Sequence, residues 1–312
     1  MVRDLGYGRE MHGGIPHHTL KGSDLLLAGA ITFFWGLNIV AITMVVRDTA
    51  PLTAAMLRQG SVMIVCAPFL RVIPGRMKAV LLIGVMQGAG FLAFSNLALK
   101  IGHNVSALSI AGQLGVPLAL LLGVIFERER IALPRLIGIL LAFGGVVVMV
   151  FDPEAVNEIP GLTLMTLGTL TWAIGSVLVR RLGTVPVLTI FAWIGLIGFL
   201  ILAPLAVLIE PQAIRALPGL SWSDWGWVLF SALGSTLIGH GGMAWLLQRH
   251  PITTVMPLTL GAPIIAMAGS AIAFDIVLTP VVITGAIISM IGVAIIALRS
   301  AAKGQPIAEP VQ

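Results

Sequence analysis

The chain has 312 residues, of which 58% are hydrophobic and only 10% are charged, and its formal net charge is +5. Soluble domains carry about 25% charged residues, so this chain is too apolar to fold in water around one core. A nucleic-acid partner is not expected, because the lysines and arginines lie almost entirely in short loops between apolar stretches. The single cysteine, Cys66, permits neither an intrachain disulfide nor a cysteine-based metal site.

Residues 1–23 contain no apolar h-region, so we expect no cleavable signal peptide there and interpret them as a cytosolic tail. Ten apolar stretches follow, each long enough to cross a bilayer core of roughly 30 Å as a helix. The sequence therefore predicts an all-α integral membrane protein with ten transmembrane helices and a second cytosolic tail, 300–312. The stretches are 24–45, 52–72, 78–99, 105–126, 134–151, 161–180, 186–208, 224–246, 252–274 and 280–298.

The positive charges between these stretches alternate sides. Fourteen lysines and arginines share a side with the N-terminus, while only Arg47, Lys100 and Arg215 lie on the other side and Arg58 lies within a span. Because cytoplasmic loops carry an excess of lysine and arginine, both termini are predicted to be cytoplasmic. The expected location is the inner (plasma) membrane.

The two halves of the chain match each other in order, which predicts a duplication into 24–151 and 152–299. Since five helices is an odd number, the second copy must enter from the opposite side of the membrane as an inverted repeat. Secondary transporters use such repeats for alternating access to a midplane site. The matching positions are Trp35 with Trp172, Pro51 with Pro186, Leu114–Leu118 with Leu260–Ile264, Leu133-Pro134 with Thr279-Pro280, and Gly138 and Gly145 with Gly285 and Gly292.

Several of these residues resemble motifs of the EamA-type drug/metabolite transporters. The similar segments are Phe34-Trp35-Gly36-Leu37-Asn38, Leu57-Arg58, Pro117 followed by Glu127-Arg128-Glu129-Arg130 and Gly138-Ile139-Leu140, and Thr171-Trp172-Ala173 followed by Arg180-Arg181. The resemblance covers about residues 24–299. It implies ten helices, both termini inside, a central cavity walled by the first four helices of each repeat, and export. Trp193 stands where Arg58 stands in the first half, so we expect a cavity that is asymmetric in charge.

Polar side chains inside a bilayer must face protein, water or substrate. Arg58 either pairs with a substrate carboxylate or is structural, snorkelling to the interface or capping carbonyls. Trp35 and Trp172 form walls for an aromatic or cationic substrate, or pack between helices. His240 either couples protons or bonds a backbone carbonyl. The predicted substrate pathway comprises Trp35, Asn38, Arg58, Gln87, Asn96, Ser109, Gln113, Trp172, Ser176, Trp193, Ser235, His240, Thr254 and Thr259.

We predict a secondary transporter of an amino acid or a related amphipathic or cationic solute. The alternative within transport is an importer of a nucleoside-like or cationic solute such as S-adenosylmethionine. An intramembrane enzyme is disfavoured: Ser235 and His240 lie five residues apart on one helix, roughly 140° from facing each other. No catalytic residue, cofactor or metal is expected, and the expected partners are the lipid bilayer and a small-molecule substrate. A homodimer, the coupling ion and the exact solute are left open.

Overall fold

A computed structural model describes residues 21–127, 133–150, 158–182, 185–247, 258–259 and 261–302, and within these ranges the chain is helical with short connections and no β-strand. In chain order the helices are α1 (Gly22–Asp48), α2 (Pro51–Cys66), α3 (Met77–Ile101), α4 (Val105–Gly112), α5 (Gly115–Glu127), α6 (Leu133–Val150), α7 (Ile159–Leu182), α8 (Val187–Ile209), α9 (Pro211–Ala216), α10 (222–247), α11 (Ala262–Phe274) and α12 (Pro280–Ala302).

Five helices in the described part of the chain are long and apolar enough to cross a membrane: Gly22–Asp48, Pro51–Phe69, Met77–Ile101, Ile159–Val179 and Val187–Ile209. Shorter apolar helices accompany them, among them Ala262–Phe274 and Pro280–Ile296. Large apolar side chains lie on the outside of the bundle, where Leu26 is 78% exposed, Leu208 77% and Ile272 82%. Helices satisfy their own backbone hydrogen bonds, so this apolar exterior suits lipid.

Prolines account for two differences from the predicted spans. The span predicted over 52–72 ends as an α-helix at Cys66 and continues only in a 3₁₀ turn, Ala67–Phe69, because Pro68 has no N–H to donate to the preceding turn. The span predicted over 105–126 is divided into α4 and α5. Gln113 N–H donates to Ile110 O at 2.9 Å in a tightened turn, and Pro117 lies in the first turn of α5, where a proline is tolerated.

α3 and α10 both contain a π-helical stretch. In α3 it covers Gly84–Gly90, and in α10 it covers Phe230–Gly241, between Trp222–Leu229 and Gly242–Leu247. These helices correspond to the third predicted span of each half. π-Helical turns widen a helix and are frequent at functional sites. Here they carry Gln87 and His240, which both face the centre of the bundle.

Two pairs of helices pack antiparallel through glycines. In the α2–α8 pair, a Cβ on Gly195 would lie 2.8 Å from Met63 N, while a Cβ on Gly198 would lie 2.9 Å from Gln59 Cγ. The residue numbers thus run in opposite directions along the contact. Gln59 Nε2 also donates to Gly88 O at 2.8 Å, which joins α3 to the pair.

The α6–α12 pair has the same character. A Cβ on Gly138 would lie 2.9 Å from Gly292 O, and a Cβ on Gly285 would lie 2.5 Å from Gly145 O. Side chains larger than hydrogen are therefore excluded at these positions, and the two backbones approach closely, as small residues allow in membranes.

The connecting segments gather at two opposite ends of the bundle. At one end the Arg76 side chain donates to Leu182 O, and Trp193 Nε1 donates to Arg71 O at 2.8 Å. At the other end Glu210 accepts hydrogen bonds from the N–H groups of Leu52 (3.0 Å) and Thr53 (2.8 Å). The carboxylate thereby caps the start of α2, where the helix dipole favours negative charge.

Candidate functional site

A cavity of about 60 Å³ lies in the centre of the bundle, between α2, α3, α7, α8 and α10. Its walls come from both halves of the chain and combine apolar rings with a few polar groups. The lining residues are Arg58, Gln59, Val62, Gln87, Phe91, Leu92, Trp172, Phe191, Ile194, Thr236 and His240. Ligand sites usually have this composition, with a few polar groups placed in an apolar pocket.

Arg58 is the only cation that lines the cavity in the described part of the chain. α2 places it about two turns after Pro51 and directs it toward α3 and α10. Its Nη1 is buried and has no hydrogen-bond partner among the residues that the structure describes. Neither the central cavity nor the space on the other side of Arg58 is lined by a described Asp or Glu. The buried Nη1 end of Arg58 therefore has no described counter-charge.

A second space, about 10 Å³, lies on the other side of Arg58 and is also lined by Asn96 and Ser231. Asn96 Nδ2 donates to Pro51 O at 3.1 Å, whereas Asn96 Oδ1 and Ser231 Oγ are buried without a partner. Buried polar atoms are normally paired. Three unpaired polar atoms around one small space mark a polar spot on the seam between the two halves.

His240 lies between two aromatic rings from different helices. Its ring centroid is 5.2 Å from that of Trp35 and 5.7 Å from that of Phe191, which is nearly parallel to it at 25°. Gly239 permits the close approach of α1, since a Cβ there would contact the Trp35 indole nitrogen. That nitrogen is buried and has no hydrogen-bond partner in the described residues.

Gln87 joins α3 to α7. Its Nε2 donates to Trp172 O at 3.2 Å and to Ser176 Oγ at 3.0 Å. Ser176 in turn donates to Trp172 O at 2.9 Å. Gly175 makes room for the Gln87 side chain, because a Cβ there would lie 2.9 Å from Gln87 Cδ. The Trp172 ring packs over Gly115 and is thereby held at the edge of the cavity.

The structure thus brings together Arg58, Gln87, Trp172 and His240 as lining residues. Trp35, Ser176 and Asn96 lie immediately behind them, through the contacts given above. Neither central space is lined by Asn38, Ser109, Gln113, Trp193, Ser235 or Thr259, and Thr254 lies outside the described residues.

These six residues lie in different surroundings, and Gln113 lies at the end of α4, in the tightened turn before α5. Ser109 donates to Ser106 O at 2.7 Å within α4. Trp193 lies toward the end of the bundle that holds Arg71. Asn38 Oδ1 is buried without a partner in the described residues, and Ser235 and Thr259 are buried.

The sequence prediction did not include several residues that line these spaces, among them Gln59, Phe191, Ser231 and Thr236. Gln59 directly follows Arg58 and is a second polar residue in an apolar span, which is a usable signal. Ser231 and Thr236 lie in a span rich in glycine and hydroxyl residues. Phe191 gives no signal, because an aromatic ring in an apolar helix is equally suited to lipid, to core or to a cavity.

The cavity is smaller than drug-sized ligand pockets, which have about 300–1,000 Å³. A drug-sized solute would therefore fit in the described arrangement only if the helices moved apart. A larger space of about 750 Å³ lies at the Glu210 end, lined among others by Asp48, Thr49 and Asp224. The described residues hold no group of three or more His, Cys, Asp or Glu that could bind a metal.

One family model and several relatives match most of the chain. The model of the EamA-like transporter family matches residues 23–151 and 159–298. The chain is 27% identical over 287 residues to the "Probable amino-acid metabolite efflux pump" of Escherichia coli K12, covering 88% of this chain and 95% of the relative.

A further relative and a solved structure are also similar over most of the chain. An "Uncharacterized transporter" of Archaeoglobus fulgidus is 27% identical over 281 residues, covering 87% of this chain and 97% of the relative. A solved structure entitled "Crystal structure of protein" superposes with a TM-score of 0.59 at 20% identity, over 91% of this chain and 99% of that chain.

Proposed function

The chain belongs to the EamA-like transporter family, and from this premise we propose that it exports a small metabolite by alternating access. The proposal makes it a secondary transporter that passes an amino acid or a related solute through the central cavity. The observation that carries it is the placement of Arg58 and His240, from different halves of the chain, around one central cavity in a bundle of apolar helices.

The same proposal includes ten transmembrane helices arranged as two inverted repeats, 24–151 and 152–299. The antiparallel α2–α8 and α6–α12 pairs support it, because each pair joins equivalent spans of the two halves. Gly138 meets Gly292, and Gly145 meets Gly285. An in-plane pseudo-two-fold axis exchanges these two contacts, which is the symmetry of transporters that alternate between two openings.

We also propose that both termini are cytoplasmic and that the protein resides in the inner membrane. The arginine-bearing segment that contains Arg71 and Arg76 gathers at one end of the bundle with Leu182, and the carboxylates of Glu210 and Asp224 gather at the other. The excess of positive charge in cytoplasmic loops orients the first end inward.

The proposed substrate class, an amino acid or a related solute, is taken from the names of two relatives. The Escherichia coli relative and one from Salmonella typhimurium LT2, which is 26% identical over 284 residues, are both named as amino-acid metabolite efflux pumps. An amino acid or a close derivative suits a small cavity with one cation and several apolar walls.

The proposed transport activity is tested by measuring the release of solutes from proteoliposomes. Vesicles that contain the purified protein and a mixture of the twenty common amino acids, adenosine and S-adenosylmethionine are diluted, and the released solutes are measured by mass spectrometry. We expect faster release of at least one amino acid than from protein-free vesicles. Release confined to adenosine or S-adenosylmethionine would instead favour the nucleoside or cation carrier, and no release above the control would overturn the proposal.

Direction is tested in cells. Cells that overproduce the protein are loaded with a dipeptide that contains the released amino acid. Export predicts a lower internal and a higher external concentration of that amino acid than in cells without the protein. Faster internal accumulation of the amino acid from the medium would overturn export while leaving transport intact.

A further inference from the structure

We propose that the transported solute carries a carboxylate, which binds Arg58, and an apolar group, which lies against Trp172, Phe191 and His240. This inference rests on the proposed transport function and adds the chemical class of its substrate. A branched or aromatic amino acid, or the corresponding monocarboxylate, fits this description, and a solute with only a positive charge does not.

The charge balance around Arg58 is the first argument. A buried charge is tolerated when it is paired and hydrogen-bonded. Arg58 has a buried, unpaired Nη1, and no described carboxylate lines either space beside it.

The known contacts of the described carboxylates lie elsewhere. Asp24 accepts from Lys21 N at 2.9 Å at the start of α1, Glu158 accepts from His103 N at 2.8 Å, and Glu210 caps α2. In these contacts the acids serve helix ends and backbone N–H groups, and Asp48 and Asp224 line the outer space at the Glu210 end, so none of these contacts supplies a counter-ion to Arg58.

The geometry of the guanidinium is the second argument. Arg58 lines the central cavity and also the polar spot with Asn96 and Ser231. Arginine presents a planar fork of donors that matches the two oxygens of a carboxylate. Ser231 Oγ, which is buried without a described partner, provides one more donor beside this fork.

The walls of the cavity are the third argument. The rest of the lining is apolar or aromatic and consists of Val62, Phe91, Leu92, Phe191 and Ile194 together with the rings of Trp172 and His240. Such walls stabilise an apolar group in proportion to the area removed from water.

Gln87 offers a hydrogen-bond acceptor to the amino group of an amino acid. Its amide nitrogen already donates to Trp172 O and Ser176 Oγ, so its carbonyl oxygen is the group that can accept a hydrogen bond from a solute ammonium.

Four compounds that differ only in their charged groups test the proposal. L-leucine has both groups, 4-methylpentanoate has only the carboxylate, L-leucinamide has no carboxylate, and 3-methylbutylamine has only the ammonium. Binding to the folded state raises the melting temperature of the purified protein, so thermal shifts measured over a concentration series report each affinity.

We expect L-leucine and 4-methylpentanoate to stabilise the wild-type protein, with half-saturation at least about tenfold lower than for the other two compounds, as loss of a charge-assisted contact implies. Arg58→Met should abolish this preference, and Arg58→Lys should reduce it. The matched control is Arg215→Met, which removes an equal charge from exposed α9 and should leave the preference unchanged.

Equal stabilisation by L-leucine and L-leucinamide, or a preference for the amine, would overturn the carboxylate requirement. A preference that persists in Arg58→Met would remove Arg58 from the site. If none of the four compounds stabilises the wild-type protein, the substrate class is wrong, whereas release of another metabolite in the proteoliposome assay would still support transport. The comparison of the four compounds on the wild-type protein needs no variant. It therefore still tests the carboxylate requirement if Arg58→Met fails to fold.

Discussion

Gly145 of α6 and Gly285 of α12 touch backbone to backbone, with 2.5 Å between Gly145 O and the position that a Cβ on Gly285 would take. The same two helices touch again where Gly138 meets Gly292. At each of these four glycines a backbone atom of the opposite helix is the nearest atom or equally near, and such an atom cannot turn away as a flexible side chain can. The α6–α12 pair consequently cannot accommodate a methyl group at these positions without separating its helices.

Gly145→Ala is predicted to destabilise the protein, whereas Gly144→Ala is predicted not to. A Cβ on Gly145 would overlap the backbone of Gly285 and Ser289, whereas a Cβ on Gly144 would have no atom within 4 Å. Overpacking of this kind costs about 1–3 kcal/mol, so Gly145→Ala should melt at a lower temperature in detergent. Gly144→Ala should melt at or above the wild-type temperature. Equal melting temperatures would contradict the close packing of α6 on α12.

A second pair of glycine variants tests whether the contact between Trp35 and His240 serves transport rather than folding. Gly239→Ala is predicted to push the Trp35 indole away from His240, because a Cβ at position 239 contacts its nitrogen. Solute release should fall severalfold, while the yield of folded protein changes little. Gly241→Ala lies on the same π-helical stretch with no atom within 4 Å of its Cβ, and is the control. Identical release rates in the two variants would show that the Trp35–His240 contact has no part in transport.

The sequence predicted the five long apolar helices of the described structure because each crossing requires about twenty apolar residues. It also identified four residues that meet at the cavity: Arg58, Gln87, Trp172 and His240. Polar or tryptophan residues in the middle of an apolar span are rare and avoid lipid. Their inward placement therefore follows from the free-energy cost of exposing them to the bilayer core.

The neighbours of these residues could not be predicted, since helices in lipid are apolar on both faces and periodicity does not show which face meets protein. Phe191 illustrates this. Trp193 illustrates a different limit. It occupies the position equivalent to Arg58 in the second half of the chain. Because α2 and α8 run antiparallel, however, the two side chains lie toward opposite ends of the bundle. Trp193 therefore reaches Arg71 rather than the cavity.

Ser176→Ala is predicted to weaken the Gln87 link between α3 and α7. Gln87 would keep only its bond to Trp172 O, and the loss of one hydrogen bond costs about 1 kcal/mol. A lower melting temperature and slower solute release are expected together, because Gln87 lines the cavity. The control is Ser109→Ala, which removes a hydroxyl whose described hydrogen bond, to Ser106 O, lies within α4. If Ser109→Ala slowed release as much as Ser176→Ala, the effect could not be assigned to Gln87.

Glu210→Ala is predicted to destabilise the start of α2 and, through it, the position of Arg58. The Glu210 carboxylate accepts hydrogen bonds from Leu52 N, Thr53 N and Thr53 Oγ1, at 3.0, 2.8 and 2.8 Å. Loss of a helix cap costs about 0.5–2 kcal/mol. Hydrogen exchange should therefore quicken at the first amides of α2 before it does in α7. Gln212→Ala, an exposed residue of the same outer space, should leave exchange unchanged. Unaltered exchange in Glu210→Ala would mean that α2 begins independently of this carboxylate.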